Sequence, residues 1–248
     1  MASMTPAPST TPHPAILYVL PKEQVARALG DLVLKAQEEA LSKRSQFTLA
    51  VSGGSLAKTL VDGLTGRAEV KWGKWSRVVP LDHEDSIVHE GLFSQVPFPT
   101  ENIHPISTEP LDDPEEVAHD YEKQQECGGV SPLRSDSVRR GARRRPHMFA
   151  VPGHELLKED SAWVSWLTDS PKPPATRITL TYPVLNHAHK VAFVVGAAKK
   201  DVIQNVLDSP QLGLPSSLVK PTPPGQVFWF VDEAAASQTQ YVKTDLKL

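Results

Sequence analysis

Apolar residues along this chain alternate between short unbroken runs and sets at helical spacing. Ile16 to Leu20 is a run that predicts a strand. Glu23 to Ser42 then carries Val25, Leu29, Leu32, Val33, Ala36 and Leu41 at helical intervals, with Lys43 and Arg44 suited to the negative end of the helix dipole. Phe47 to Val51 is a second run, which breaks into Ser52-Gly-Gly-Ser55 before Leu56 to Leu64 returns to helical spacing. The first quarter therefore reads β-α-β-α, the pattern of a parallel sheet with helices on its faces.

The same alternation resumes late in the chain. Arg177 to Thr181 alternates as a strand should, and Pro183 to Ala188 begins a helix. Val191 to Val195 is a buried strand, Gly196 a turn, and Lys199 to Leu207 an amphipathic helix. Gln226 to Val231 is a last strand, and Asp232 to Ala236 is expected to cap and open a final helix. Between these halves Val78 to Leu81 is a short apolar run, Asp82 to Ser86 a polar loop, and Glu115 to Gln125 a charged helix candidate. The fold class expected is α/β, Rossmann-like and doubly wound, with a mostly parallel sheet.

Two stretches stand outside the alternation. Residues 1–14 form a Pro/Ser/Thr-rich tail, expected to be disordered, which leaves residues 15–246 as one α/β domain. Residues 127–152 have no usable periodicity and contain the run Arg139-Arg-Gly-Ala-Arg-Arg-Arg145. Such a run reads as a polyanion-binding or nuclear-localisation patch, or as a solvated loop.

Composition narrows the function classes. A length of 248 residues can bury a full core, and 40% hydrophobic with 22% charged residues is the profile of a soluble globular protein. The net charge of −3 gives no reason to expect nucleic acid as a partner. Cys127 is the single cysteine, so neither an internal disulfide nor a multi-cysteine metal site is expected. No apolar run reaches membrane-spanning length, and Met1 to Pro14 lacks a basic start and an apolar core, so a cytoplasmic location is expected.

The chemistry enters at Ser52-Gly-Gly-Ser55. A strand, a glycine turn and a helix N-terminus together allow close backbone approach to a phosphate and point N–H groups at it. Taken alone, the segment is equally an ordinary strand-to-helix turn. It is accompanied, in order, by four further blocks. These are Val79-Pro-Leu-Asp-His-Glu-Asp-Ser86 with Val96-Pro-Phe-Pro99; Asp169-Ser-Pro-Lys-Pro-Pro174 leading into Arg177-Ile-Thr-Leu-Thr-Tyr-Pro-Val-Leu-Asn186; Gly196 to Lys199; and Trp229-Phe-Val-Asp-Glu-Ala-Ala-Ala236. With these blocks the chain resembles the 6-phosphogluconolactonases over most of residues 15–246.

The resemblance implies the sheet shared with glucosamine-6-phosphate deaminases. It also implies hydrolysis of a phosphosugar lactone to the open-chain acid in the oxidative pentose phosphate pathway, with no metal and no cofactor. Such a site holds a phosphate dianion, positions a water and stabilises an oxyanion. By resemblance Ser52, Gly53, Gly54 and Ser55 belong to the substrate loop. Arg77 matches a family arginine, Arg177 offers phosphate a fork of donors, and Lys199 is a second cation.

The chain departs from the family where the chemistry is carried. Family members place Asp-Glu-Arg between a tryptophan-led strand and the Val-Pro-Leu-Asp block. Here Trp75-Ser-Arg77 runs straight into Val78-Val-Pro80, so both acids, and by expectation a strand, are lost. The Asp-Gly-His-Thr loop, whose histidine is the family's general base, is replaced by Arg143-Arg-Arg-Pro-His-Met-Phe-Ala-Val-Pro152. The family base is thus unmatched, and no general base is assigned.

That replacement carries a trace of what it replaced. Arg144 to Val151 encoded as CGA CGG CCA CAC ATG TTC GCT GTT reads, one nucleotide later and with a C from Pro152, as Asp-Gly-His-Thr-Cys-Ser-Leu-Phe. The hypothesis is that residues 138–151 are a frame-shifted translation of the catalytic loop, and a transcript without that alternative frame would sink it. In that register His147 stands at the threonine, and the arginine run is an accident of frame. His154, His187 and His189 read as surface residues, and Asp82-His-Glu-Asp85 as a solvated loop or a carboxylate pair.

Three functions follow: a phosphogluconolactone hydrolase, a glucosamine-6-phosphate deaminase, or a catalytically inactive phosphosugar-binding protein or unstable variant. The Arg177 to Asn186 block and the recovered Ser-Leu-Phe-Pro favour the lactonase over the deaminase, which would want Phe-Asn-Glu-Pro there. Strands lost from the middle of a parallel sheet would favour the third reading.

Overall fold

The structure is a computed structural model that describes residues 15–51, 55–80, 96–103, 153–169 and 177–247, with 115, 118, 119 and 122. The tail 1–14, the loop Asp82–Ser86 and the segment 127–150 with 151 and 152 lie outside the described residues.

Strand β1 (Ile16–Leu20) leads into helix α1 (Lys22–Lys43), and β2 (Phe47–Val51) precedes α2 (Ser55–Leu64). β3 (Trp75–Pro80) follows, then β4 (Val164–Leu167), β5 (Arg177–Leu180), helix α3 (Tyr182–His187), β6 (Lys190–Val195), helix α4 (Lys200–Asp208) and β7 (Gln226–Asp232). Among the described residues the strands pair in three groups: β1–β7–β6 parallel, β2–β3 parallel, and β4–β5 antiparallel.

Strand β7 organises the core because it is buried on both faces. Phe228 and Phe230 point into one apolar cluster, while Val227, Trp229 and Val231 point into the other. The period-2 alternation of side chains is what lets one strand feed two cores. On the first face α1 supplies Val25, Ala28, Leu29, Leu32, Val33 and Ala40, a helical stripe that also covers Phe47 and Val51 of β2. One helix thus roofs strands from both parallel groups. On the second face Ile203, Val206 and Leu207 of α4 pack with Leu185 of α3. Helices on both faces give the doubly wound arrangement expected.

Two local features set this packing. Helices α1 and α2 cross at glycines: a Cβ at Gly30 would lie 2.2 Å from the Gly63 carbonyl oxygen, and one at Gly63 would lie 2.2 Å from that of Ala26. Backbone touches backbone there, which no larger residue permits. The second feature is Gln37, only 3% exposed. Its Oε1 accepts from the Trp75 indole N–H and the Lys71 N–H, both at 2.8 Å, and its Nε2 donates to the Glu69 carbonyl at 3.1 Å. Trp75 is thereby fixed among Phe47, Trp72 and Phe98.

Three expectations change. The residues Trp75 to Pro80 do form a strand, paired in parallel with β2, so the tryptophan-led strand is present. Asp232 to Ala236 is not a helix: Asp232 ends β7, and the chain then turns, with Ala236 N–H donating to the Asp232 carbonyl at 3.0 Å. The parallel pairing with β1 carries into the turn, since Glu233 N–H donates to Leu20 O at 3.2 Å. Finally, β4 is a strand that the sequence reading did not anticipate.

Gly30→Ala decides whether the helix crossing is real. Helix propensity alone predicts stabilisation by about 1 kcal/mol. The contact with Gly63 predicts a loss of roughly 1–3 kcal/mol, readable as a lower urea midpoint. Gln37→Leu is expected to cost about 1–3 kcal/mol by stranding the buried Trp75 N–H, with a shifted tryptophan emission.

Candidate functional site

Strands β1, β6 and β7 run in one direction and end together, with Leu20 opposite Asp232 and Val195 opposite Val231. In open α/β sheets the carboxyl ends of parallel strands are where ligands are met, because the loops there carry helix N-termini. The loop after β6 passes Gly196, forms a 3-10 turn at Ala197–Lys199 and opens α4 at Lys200.

Asp232 fixes that loop. Its side chain is 8% exposed, and each carboxylate oxygen is used by the backbone: Oδ2 accepts from Ala197 N–H at 3.0 Å and Oδ1 from Ala235 N–H at 2.7 Å. Gly196 permits the approach, since a Cβ there would stand 3.2 Å from Oδ2. The turn closes with Lys199 N–H donating to the Gly196 carbonyl at 3.0 Å. Lys199 is exposed at the end of it.

The other anticipated residues fall as follows. Ser52, Gly53 and Gly54 lie outside the described residues. Ser55 is the first residue of α2, so the helix starts four positions after β2 ends at Val51. Arg77 is in β3, with its backbone in register with Thr48 of β2. Arg177 is the first residue of β5, opposite Leu167 of β4, in the antiparallel pair rather than the parallel groups. The β6-to-α4 connection thus stands at the carboxyl end of β6, and α2 begins beyond the carboxyl end of β2.

Several other titratable groups stand apart from this loop. His154 caps the 3-10 turn Glu155–Lys158: its Nδ1 accepts from Leu156 N–H at 3.1 Å, and its Nε2 meets Asp169 Oδ1 at 3.1 Å. His187 and His189 flank the start of β6, the end opposite to the Lys199 loop. Partial burial, together with Arg44, Lys190 and Lys43, holds His189 below the usual imidazole range. Burial pushes the Tyr182 phenol up to about 12, and its hydroxyl donates to Pro215 O at 3.0 Å. A cavity of about 370 Å³ beside the Gly30–Gly63 crossing is lined by Arg27, Asp31, Asp62, Thr65, Arg67 and Glu69. There Arg67 is already paired with Asp31 at 2.5 Å.

Asp232 is the residue that sequence reading undervalued. The signal was its place directly after the buried run Val227 to Val231. It was read as a cap for a helix that does not form.

A sequence model described as Glucosamine-6-phosphate isomerases/6-phosphogluconolactonase matches residues 21–229. A Schizosaccharomyces pombe protein named probable 6-phosphogluconolactonase is 38% identical over 237 residues, covering 87% of this chain and 92% of that protein. Among solved structures, the Trypanosoma brucei 6-phosphogluconolactonase superimposes with a TM-score of 0.71 at 20% identity, over 91% of this chain and 98% of that one. A monomeric glucosamine-6-phosphate deaminase does so at 0.65 and 11% identity, over 90% and 99%. At these structural identities the likeness is one of fold, and it is shared by both chemistries.

Proposed function

Because the chain belongs to the glucosamine-6-phosphate isomerase/6-phosphogluconolactonase family, we propose that it acts on 6-phospho-D-glucono-1,5-lactone, hydrolysing it to 6-phospho-D-gluconate. The identity to a named lactonase over nearly the whole of both chains carries this reading. It sets lactone above amino-sugar chemistry, which fold alone does not separate. The enzyme is read as one cytoplasmic domain over residues 15–246, serving the oxidative pentose phosphate pathway.

In this reading the phosphate is held at the carboxyl edge of the parallel strands. Ser52, Gly53, Gly54 and Ser55 offer backbone N–H groups and hydroxyls at the start of α2, where the helix dipole favours an anion. Arg77, Arg177 and Lys199 supply positive charge. Hydrolysis then needs a base to take a proton from water as it attacks the lactone carbonyl, and donors for the oxyanion that forms. Asp232 is not assigned as that base, because it is buried and its oxygens are engaged in holding two backbone N–H groups.

One observation favours a second reading, a phosphosugar-binding protein without turnover. Arg143 to Pro152 stands where the family carries Asp-Gly-His-Thr. The chain as written is therefore expected to bind 6-phosphogluconate, with a raised melting temperature, yet to leave lactone hydrolysis at its spontaneous rate. Replacing Arg144–Val151 with Asp-Gly-His-Thr-Cys-Ser-Leu-Phe is expected to raise the rate, which a pH-stat assay reads. Hydrolysis by the chain as written would remove the need for that histidine. A restored loop without rate gain would leave only the binding protein. Sequencing the transcript across codons 70–160 shows which of the two chains a cell makes.

Lys199→Ala is expected to weaken 6-phosphogluconate about tenfold, the loss of one charged contact. Isothermal titration at two salt concentrations checks it, since an ionic contact fades as salt rises.

A further inference from the structure

We propose that Asp232 is a positioning residue for the phosphosugar site, acting through the Gly196–Lys199 loop. The inference rests on the reading of Lys199 as a phosphate cation. Among the described residues β7 alone is paired on both edges, and Asp232 ends it, opposite Leu20 of β1 and one residue beyond the Val231–Val195 pair with β6. Its side chain reaches sideways across the edge to the neighbouring connection, 35 residues earlier in sequence, and receives the Ala197 N–H. The other oxygen receives the Ala235 N–H from its own turn. One carboxylate thus ties the ends of β6 and β7 together.

The demand for a carboxylate is specific. Two N–H groups approach from different sides, and only a side chain with two acceptor atoms satisfies both. An asparagine would turn an NH2 toward one of them and lose that bond. No lysine, arginine or histidine is ion-paired to Asp232 among the described residues. The carboxylate is held by backbone N–H groups instead, and Lys199 stands exposed and outside that pairing. A glycine at 196 completes the device, because a Cβ there would press on the same carboxylate oxygen. The loop begins at that contact and ends, one 3-10 turn later, at Lys199.

The test is a double-mutant cycle in 6-phospho-D-gluconate affinity on the full chain, with Asp232→Asn and Lys199→Ala singly and together. Asp232→Asn is expected to weaken binding roughly tenfold when Lys199 is present and to do little once it is gone, the coupling of residues in one network. Gly196→Ala, which crowds the carboxylate without changing charge, is expected to give the same pattern. It serves as the second variant if Asp232→Asn melts early. An equal loss with and without Lys199 would make Asp232 a fold residue only and overturn the proposal. A loss from Lys199→Ala with none from Asp232→Asn or Gly196→Ala would overturn it while leaving the phosphate reading intact. No loss from Lys199→Ala would overturn both.

Discussion

Strand β7 carries a constraint that the rest of the molecule answers to. It is paired on both edges from Phe228 to Val231 and buried on both faces, so most of its backbone and side chains have partners. Burying Val227 to Val231 is worth several kilocalories per mole by area alone, about 1.5–3 kcal/mol per large apolar side chain. That energy is collected only if α1 covers one face and α4 the other. The two helices are therefore bound to the strand, and with them the β1-to-α1 and β6-to-α4 connections. The carboxyl edge, where Asp232 and Lys199 stand, is placed by the same packing as the core.

The second parallel group is joined to the first through α1. Its stripe contacts Phe228 and Phe230 of β7 as well as Phe47 and Val51 of β2. The glycine crossing with α2 then limits how α2 can lie, because carbonyl oxygens on one helix occupy the space of a side chain on the other. Glycine within a helix interior costs about 1 kcal/mol in propensity, so two facing ones make sense only where close approach is returned as packing. This contact sets the line of α2, and so where its N-terminus points at the end of β2.

How much of this was legible follows from which contacts are local. Strands β1, β2, β6 and β7 and helices α1, α2 and α4 announced themselves through apolar runs and helical spacing, signals that neighbouring residues carry. The strand at Trp75 to Pro80 was hidden because it is short, polar at Ser76 and Arg77, and closed by a proline. Its strand character comes from pairing with β2. Val164 to Leu167 was missed for a similar reason, being four residues long and completed by β5. Asp-Glu-Ala-Ala-Ala after β7 has the composition of a helix start. The turn prevails because the Asp232 carboxylate is shared with a loop far away in sequence. Gln37 and the Gly30–Gly63 pair were equally illegible, since each is a contact between distant segments. For the proposed site, Ser52 to Ser55 and Lys199 are marked in the sequence by position after strands, while the bonds from Asp232 to Ala197 and Ala235 are not.

In the proposed reading binding and chemistry are separable, and the separation has a physical origin. Holding a phosphate needs helix N-termini and cations, which the parallel sheet presents at its carboxyl edge as a consequence of its topology. Taking a proton from water needs one imidazole or carboxylate with a free lone pair aimed at the right point. The fold does not supply that by itself. Asp232 illustrates the difference: a buried carboxylate at the edge, it is withdrawn from solvent and its oxygens accept backbone N–H bonds, which fix geometry. A change confined to the loop bearing the base would therefore remove turnover while leaving the phosphate-holding edge intact, since strand pairing and helix packing build that edge without it.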